Sequence, residues 1–208
     1  MLLQLRQHRH VKIYVVAVRE IIEIPNPLLT TNTAKVVEFN AETKQIAQDL
    51  IDTVLHASDP AGAGLAAPQI GIPLRMCVVR KFKPNPNDPA NTDSELSKEI
   101  ILINPQITSY SNSEDIRWEG CLSIPDTYGK VKRAKQITVK AQDINGDEIK
   151  LKAAGFFARI IQHEIDHLDG ILFTSKTIGS TVTDAELEKI LALQSADEAI
   201  QKHIITEG

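Results

Sequence analysis

Apolar residues recur every three or four positions in three segments of the chain, and this spacing predicts three helices. In the first segment, Ile46, Leu50 and Val54 form one apolar stripe. Asn40 precedes the stripe and belongs to a residue type that caps helices, so a helix is predicted from there to about His56.

The other two predicted helices lie nearer the C-terminus. One runs from about Gly155 to Leu168 and carries apolar residues on most of its sides. The other covers about residues 184–203. It follows Thr183, which has the spacing of a capping box with Glu186.

Short apolar or alternating runs between the helices predict β-strands over residues 74–79, 100–103, 136–142 and 148–152. Asn145 and Gly146 separate the last two runs and favour a hairpin there. Asn104 and Pro105 are expected to end the strand before them. Residues 83–97 are polar with three prolines, which indicates a long surface loop.

These elements indicate an α+β fold, with short mixed or antiparallel β-sheets around a central helix, an N-terminal helix and a C-terminal helix. We find no repeat or linker, so residues 1–208 are interpreted as one domain. Residues 1–19 form a basic N-terminal extension without acidic residues. They are interpreted as an extra strand or the product of an upstream start, and less well as a transit peptide.

Composition excludes several classes of protein. The formal net charge of −4 gives no electrostatic reason for non-specific nucleic-acid binding. No apolar run approaches the roughly 20 residues needed to span a bilayer. Cys77 and Cys121 lie far apart in unrelated contexts, so a disulfide framework is not expected. A reducing cytoplasm is the simpler location, with an organelle as the alternative.

The second predicted helix contains an H-E-x-x-H pattern, formed by His163, Glu164 and His167. Two histidines four residues apart project from one face of a helix and can bind one metal ion. Glu164 can then exchange protons with water activated by the ion. Apolar neighbours such as Phe156 and Ile160 predict that this helix is buried, where a carboxylate needs compensation. A surface helix with two incidental histidines is the alternative.

A catalytic site of this kind needs a third protein ligand. Cys121, in the segment EGCLS, offers a thiolate beside a flanking glycine. Glu186 is an alternative of the kind found in zinc endopeptidases, and His203 is a weaker one. Asp169 is expected to point away, and Asp166 to lie beside the site or on the helix surface.

The segment GAGLAAPQIG has almost no side-chain bulk and a single amide, at Gln69. Such a segment suits an extended ligand that lies against exposed backbone groups, although a tight turn between helix and strand would also explain it. Three segments, GAGLAAPQ, EGCLS and HEIDH, resemble the three signature motifs of peptide deformylases in the order found in that family. The similarity covers about residues 23–173.

The resemblance implies a metal-dependent hydrolase of protein biosynthesis, in bacterial cytoplasm, that matures N-terminal methionine. Members remove the formyl group from the formyl-methionine end of nascent polypeptides and release formate. By motif position, Cys121, His163 and His167 would bind one divalent ion. Fe(II) is expected, with Zn(II) or Ni(II) as alternatives. Glu164 would carry protons.

Further roles follow from the same resemblance. The Gln69 amide and the backbone N–H of Leu122 would bind the formyl oxygen, and Glu119 would pair with Arg133. Residues along the substrate would be Ala63, Gly64 and Leu65. Apart from the resemblance, a pocket for the methionine side chain should be apolar, and Trp118, Phe156 and Ile160 are the candidates for it. The C-terminal helix is expected to pack on the body, with ribosome contact as the alternative.

Two rival functions remain open from the sequence. One is an endopeptidase that uses Glu186 as third ligand. The other is a non-catalytic homologue that binds formylated or unmodified chain ends. The presence of both Glu164 and Gln69 argues against a mere binder, because binding alone needs no buried acid or base.

Overall fold

The computed structural model describes residues 18–58, 61–85 and 88–206, with side chains except at 84–96 and 196–206. Residues 1–17 of the predicted N-terminal extension therefore lie outside the described part. Within it, no helix combines the length and the apolar character that crossing a membrane requires.

All three predicted helices are present, and their capping explains where they begin. Helix α1 spans Ala41–His56, and the Asn40 side chain accepts hydrogen bonds from two backbone N–H groups of its first turn. Helix α2 spans Gly155–Leu168. Helix α3 spans Asp184–Thr206, behind the predicted capping box: the Glu186 carboxylate accepts from the Thr183 N–H at 2.8 Å.

Within the described residues, seven strands form two antiparallel sheets, which confirms the predicted α+β class. The strands are β1 Gly64–Ala66, β2 Met76–Asn85, β3 Asp88–Tyr110, β4 Glu114–Cys121, β5 Ile124–Ala134, β6 Gln136–Gln142 and β7 Glu148–Ala154. The larger sheet has the order β1-β2-β3-β6-β7, and the smaller one pairs β4 with β5.

The predicted end of a strand at Asn104 is wrong, because β3 continues through Pro105 to Tyr110. The chain passes this point as a bulge, with the φ of Asn104 at +51°. The Asn104 side chain accepts from the Val36 N–H at 2.9 Å and donates to the Val36 carbonyl and Gln142. These bonds replace ladder bonds that Pro105 cannot make.

The prediction of a surface loop over residues 83–97 is also wrong, because the described backbone in this range belongs to strands β2 and β3. Strands β2 and β3 pair outward from the sheet as far as Asn85 and Asp88. Register shifts follow Phe82 and Pro84. Two paired strands satisfy each other's backbone groups whatever side chains they carry, so the sequence of such a pair need not alternate between apolar and polar residues. Its strand character was therefore invisible in the hydrophobic pattern.

The larger sheet lies between two helices and buries a core on each face. One core joins α2 to inward residues of β2, β3 and β6, including Cys77, Val79 and Val139. The other joins α1 to alternate residues of β2 and β3, including Met76 and Val78. Consecutive strand residues point to opposite faces, which explains why neighbours belong to different cores. One side of helix α2 is thus covered by the larger sheet.

We expect the bulge at position 104 to be more stable with asparagine than with other residues. Asn104→Ala loses the bonds to Val36 and Gln142 and keeps a Cβ in a left-handed conformation that alanine tolerates less well than asparagine, so we expect the free energy of unfolding to fall by about 2–3 kcal/mol. Asn104→Gly loses the same bonds but adopts that conformation without strain, and its cost should be about 1 kcal/mol smaller. Urea unfolding measures both; equal stability of both variants and the parent would contradict this account.

Candidate active site

Helix α2 and the end of β4 bring three metal-binding side chains together. His163 and His167 lie on one face of α2, and Cys121 is the last residue of β4. One ligand atom from each of the three residues falls within 4.8 Å of the others. The Cys121 Sγ lies 3.2 Å from the His167 Nε2. Folding thus brings the EGCLS segment and the H-E-x-x-H helix, which are distant in the chain, into one site.

The ring of His163 is oriented by Glu119, whose Oε2 lies 3.0 Å from the His163 Nδ1. The Nε2 of His163 is therefore the nitrogen left to face an ion, an arrangement common among metal-binding histidines. Although burial lowers it, the side chains of Cys121 and Glu119 raise the pKa of His163 to about 10. The surroundings of His163 therefore favour a positive charge at this position, which a bound metal ion would supply.

The carboxylate of Glu119 is held by two arginines. Arg133 donates to both of its oxygens at 2.9 Å, and Arg159 donates to Oε1 at 2.6 Å. Burial raises the pKa of Glu119, but the bonds and charges of Arg133 and His163 outweigh it, and the pKa falls well below its ordinary value. Glu119 therefore stays ionised while buried.

The same arginines extend this network to other elements. Arg133 also pairs with Asp166 on α2, and Asp166 accepts from Lys176 at 2.6 Å. Arg159 also donates to the Asp115 carboxylate at 2.7 Å. Asp166 is thus buried with one oxygen paired to Arg133 and the other to Lys176, so it supports the site and is not one of the three grouped metal-binding residues.

Glu164 is 3% exposed, and its Oε2 has no hydrogen-bond partner among the described residues. Burial raises the pKa of this carboxyl to about 7, against the opposing charge of His163. A Cβ on Gly64 would lie only 2.5 Å from the Glu164 Oε1, so a glycine is required there. A buried acid without a partner, titrating near neutrality, suits proton transfer.

Gln69 is fixed with its amide nitrogen toward the site. Its Oε1 accepts from the Ala66 N–H at 2.8 Å, which directs Nε2 to Ser123 Oγ at 3.1 Å and to Cys121 Sγ at 3.6 Å. The N-terminal segment secures this arrangement from outside. The N–H groups of Ile22 and Ile24 donate to the carbonyls of Gln69 and Ser123.

A cavity of about 350 Å³ opens beside these groups. The following predicted site residues line it: Ala63, Gly64, Gln69, Trp118, Glu119, Cys121, Leu122, Phe156, Ile160, His163 and Glu164. Leu65 does not. Its side chain is fully buried in the core beside α1, because alternation along β1 turns it away from Gly64 and Ala66. The predicted contact of Leu65 with the substrate stays a prediction, and its backbone rather than its side chain would make that contact.

The donor set fits a divalent ion. A thiolate and two imidazoles suit Zn(II) or a similar first-row ion, and the unpartnered Glu164 oxygen provides a place for a polar ligand of that ion. The alternative ligand Glu186 is exposed and engaged in capping α3. Asp169 pairs with Arg75 at 2.6 Å. His203 lies where side chains are not described.

The sequence analysis did not identify three residues that support the site. Arg159 sits within an apolar stretch of α2 and reaches Glu119; Ser123 faces Gln69. Arg80 fixes the glycine-rich segment by donating to the Gly62 carbonyl at 2.8 Å. A buried arginine within an apolar helix was the one signal available for Arg159, since such a charge needs an acidic partner.

Comparison with known proteins gives a consistent result. The family model described as polypeptide deformylase matches residues 18–182. The chain belongs to this family. A peptide deformylase of Dictyoglomus thermophilum is 40% identical over 169 residues, which cover 81% of this chain and 99% of that protein. One of Roseiflexus castenholzii is 43% identical over 165 residues, covering 76% and 88%.

Solved structures of family members share the fold. The class I type b peptide deformylase of Acinetobacter baumannii, bound to Met-Ala-Ser, is 32% identical with a TM-score of 0.68, over 78% of this chain and 99% of that one. The Thermotoga maritima enzyme is 31% identical with a TM-score of 0.66, over 78% and 99%. The family match ends before helix α3, which begins at Asp184.

The two cysteines are expected to differ sharply in reactivity. Burial and the charge of Glu164 raise the pKa of Cys77 well above its ordinary value, and its side chain is inaccessible, so it should resist alkylation. Cys121 lines the cavity and should react once metal is removed by a chelator. Mass spectrometry after iodoacetamide treatment should find one modified thiol, at Cys121, and none in zinc-loaded protein. Modification of Cys77 in folded protein would contradict this.

Removing a charge from the network around Glu119 should lower the stability of the protein. Arg133→Gln leaves the buried carboxylates of Glu119 and Asp166 short of a partner, and we expect the free energy of unfolding to fall by about 3–5 kcal/mol. Lys132→Gln is the matched control, because Lys132 forms an exposed pair with Glu114 and should change stability by less than about 1 kcal/mol. Denaturant unfolding of metal-free protein compares the two, and equal effects would rule out the proposed difference.

Proposed function

We propose that this protein hydrolyses the formyl group from the formyl-methionine end of nascent chains and releases formate. The observation that carries the proposal is the meeting, in one cavity, of a Cys/His/His donor set, a buried acid without a partner and an oriented amide donor. Membership of the polypeptide deformylase family supports it.

Cys121, His163 and His167 would hold one divalent ion, with Fe(II) as the physiological ion and Zn(II) or Ni(II) as substitutes. The softness of a mixed thiolate and imidazole set accommodates all three. When bound, the ion supplies Lewis acidity, which makes water available as a nucleophile near neutral pH and polarises a carbonyl group. Glu119 keeps His163 in the orientation that binding requires.

Glu164 would move the protons. Its position under Gly64 places the carboxylate beside the glycine-rich segment, along which the substrate backbone would lie. In the first half of the reaction the carboxylate takes a proton from the attacking water. In the second half the carboxylic acid delivers that proton to the amine of methionine, so that the C–N bond breaks and formate leaves.

Gln69 would stabilise the oxygen that becomes negative during the attack. The bond from Ala66 fixes its amide so that the nitrogen donates into the site. The backbone N–H of Leu122, next to Cys121, would provide a second donor. Groups fixed before the reaction stabilise a developing charge more effectively than groups that must reorient.

Apolar residues on one side of the cavity would accept the methionine side chain. Ile160 is 4% exposed, and Phe156 and Trp118 lie beside it on the lining. The substrate backbone would lie against Ala63 and Gly64, where the chain has almost no side-chain bulk. The Acinetobacter relative is described as bound to Met-Ala-Ser, the deformylated form of such a peptide.

Bacterial relatives and the reduced cysteines support action on nascent chains in a bacterial cytoplasm. The endopeptidase alternative loses its support, because Glu186 caps α3 instead of facing the histidines. A homologue that only binds chain ends would not need the buried acid Glu164. Deformylation is therefore the function that accounts for all of these residues.

The decisive assay measures formate release from formyl-Met-Ala-Ser by anaerobically iron-loaded protein. Gln69→Ala removes one oxyanion donor and should lower kcat/KM by about 10²–10³-fold. Glu164→Gln cannot carry the proton and should lower kcat by about 10²–10⁴-fold while binding Met-Ala-Ser with unchanged affinity. No release by metal-loaded parent protein would refute the function. Unimpaired turnover by Glu164→Gln would refute the assigned role.

A further inference from the structure

The cavity wall includes a residue from helix α3, beyond the part of the chain that matches the family. Leu187 lines the cavity and is 8% exposed. Other leucines of the same helix face solvent, since Leu191 is 45% and Leu193 is 68% exposed. Helix α3 therefore turns the Leu187 side chain toward the site.

The segment before α3 is fastened to the edge of β5. Tyr128 and Val182 exchange two backbone hydrogen bonds, each of 2.9 Å, and the Ile178 N–H donates to the Lys130 carbonyl at 2.7 Å. This pairing gives the first turn of α3 a defined position relative to β5. Leu187 lies in that first part of the helix, so its place at the cavity is set by the attachment.

Asp126 completes the attachment. Its carboxylate accepts from the Asp184 N–H at 2.8 Å, at the start of α3, although the residue itself is exposed. Its φ is +49°, a left-handed conformation that aspartate adopts more readily than most residues. An acidic group at a helix N-terminus also interacts favourably with the helix dipole.

Tyr128 links this attachment to the metal-binding strand. A Cβ on Gly120 would lie 2.7 Å from the Tyr128 Cε1, so the tyrosine ring packs directly on the residue before Cys121. Tyr128 and Leu187 both line the cavity. Tyr128 is two residues before Lys130, which pairs with Trp118, so its ring lies next to the group of Trp118, Phe156 and Ile160 that we assign to methionine.

We propose that Leu187 is a specificity-determining residue for the substrate residue that follows methionine, and that Asp126 is the positioning residue that holds Leu187 in place. This inference rests on the proposed function. An apolar second residue would bury its side chain against Leu187 and Tyr128, whereas glycine would gain nothing from them.

The test compares formyl-Met-Leu-Ser with formyl-Met-Gly-Ser. Leu187→Ala should raise KM for the leucine peptide by about five- to tenfold, leave KM for the glycine peptide within about twofold, and leave kcat for both within about twofold. Leu193→Ala, on the exposed side of the same helix, should change neither constant. An unchanged KM for the leucine peptide, or an equal rise for both peptides, would overturn the proposal.

The positioning role is tested at Asp126, an exposed residue whose replacement spares the core. Asp126→Gly keeps the left-handed backbone without an acceptor, so it should reproduce the peptide-dependent rise in KM. Asp126→Asn retains a side-chain oxygen and should restore the parent behaviour. Parent-like discrimination in Asp126→Gly, or failure of Asp126→Asn to restore it, would refute this role.

Calorimetric titration with Met-Leu-Ser and Met-Gly-Ser separates this inference from the proposed function. If the parent protein releases no formate yet binds Met-Leu-Ser more tightly than Met-Gly-Ser, and Leu187→Ala removes that difference, the function fails and the binding role of Leu187 stands. If the parent shows turnover but no such difference, Leu187 has no role in selection. Thermal unfolding midpoints and metal content of each variant identify effects caused by misfolding.

Discussion

The buried carboxylate of Glu119 is the group on which the rest of the site depends. It joins His163 of α2 to Arg133 of β5, and Arg159 reaches it from a second turn of the helix. The two guanidinium groups compensate the charge of the carboxylate and donate hydrogen bonds to both of its oxygens, so the ionised carboxylate is tolerated in the interior. The smaller sheet and helix α2 are thereby held in one relative position, and Cys121 stays within reach of both histidines.

Helix α2 can carry this chemistry because it is enclosed. From Ala158 onward nearly all of its residues are buried, and Gln162 ties it to β5 by bonding both backbone groups of Ala134. Its packing against the larger sheet places Glu164 under Gly64. A rigid helix between two sheets keeps the reactive groups in place, so little of the binding energy of a substrate is needed to arrange them.

Local signals allowed much of the fold to be predicted. Asn40 marked the start of α1, and Thr183 with Glu186 marked that of α3. These signals act within a few residues, so sequence alone reveals them. The bulge at Asn104 depends on Val36, which is distant in the chain, and the outward pairing beyond Phe82 has no hydrophobic pattern; neither could be predicted.

The same contrast applies to the site. Two histidines four residues apart in a predicted helix can be recognised as a metal-binding pair from the sequence alone. The roles of Arg159, Ser123 and Arg80 cannot, because they depend on partners distant in sequence. The choice of Cys121 over Glu186 came from a family resemblance, and spacing alone left it open. The buried orientation of the Leu65 side chain could not be predicted, because a strand of only three residues has no alternating pattern from which its inward face can be read.

The N-terminal segment bonds to Gln69 and Ser123, while the histidines come much later in the chain. During synthesis, the early parts of the site must wait for α2 to emerge before the three ligands can meet. Until then Cys121 is a single thiol without its histidine partners and cannot hold an ion tightly. The order of the chain therefore delays metal uptake until the fold is nearly complete.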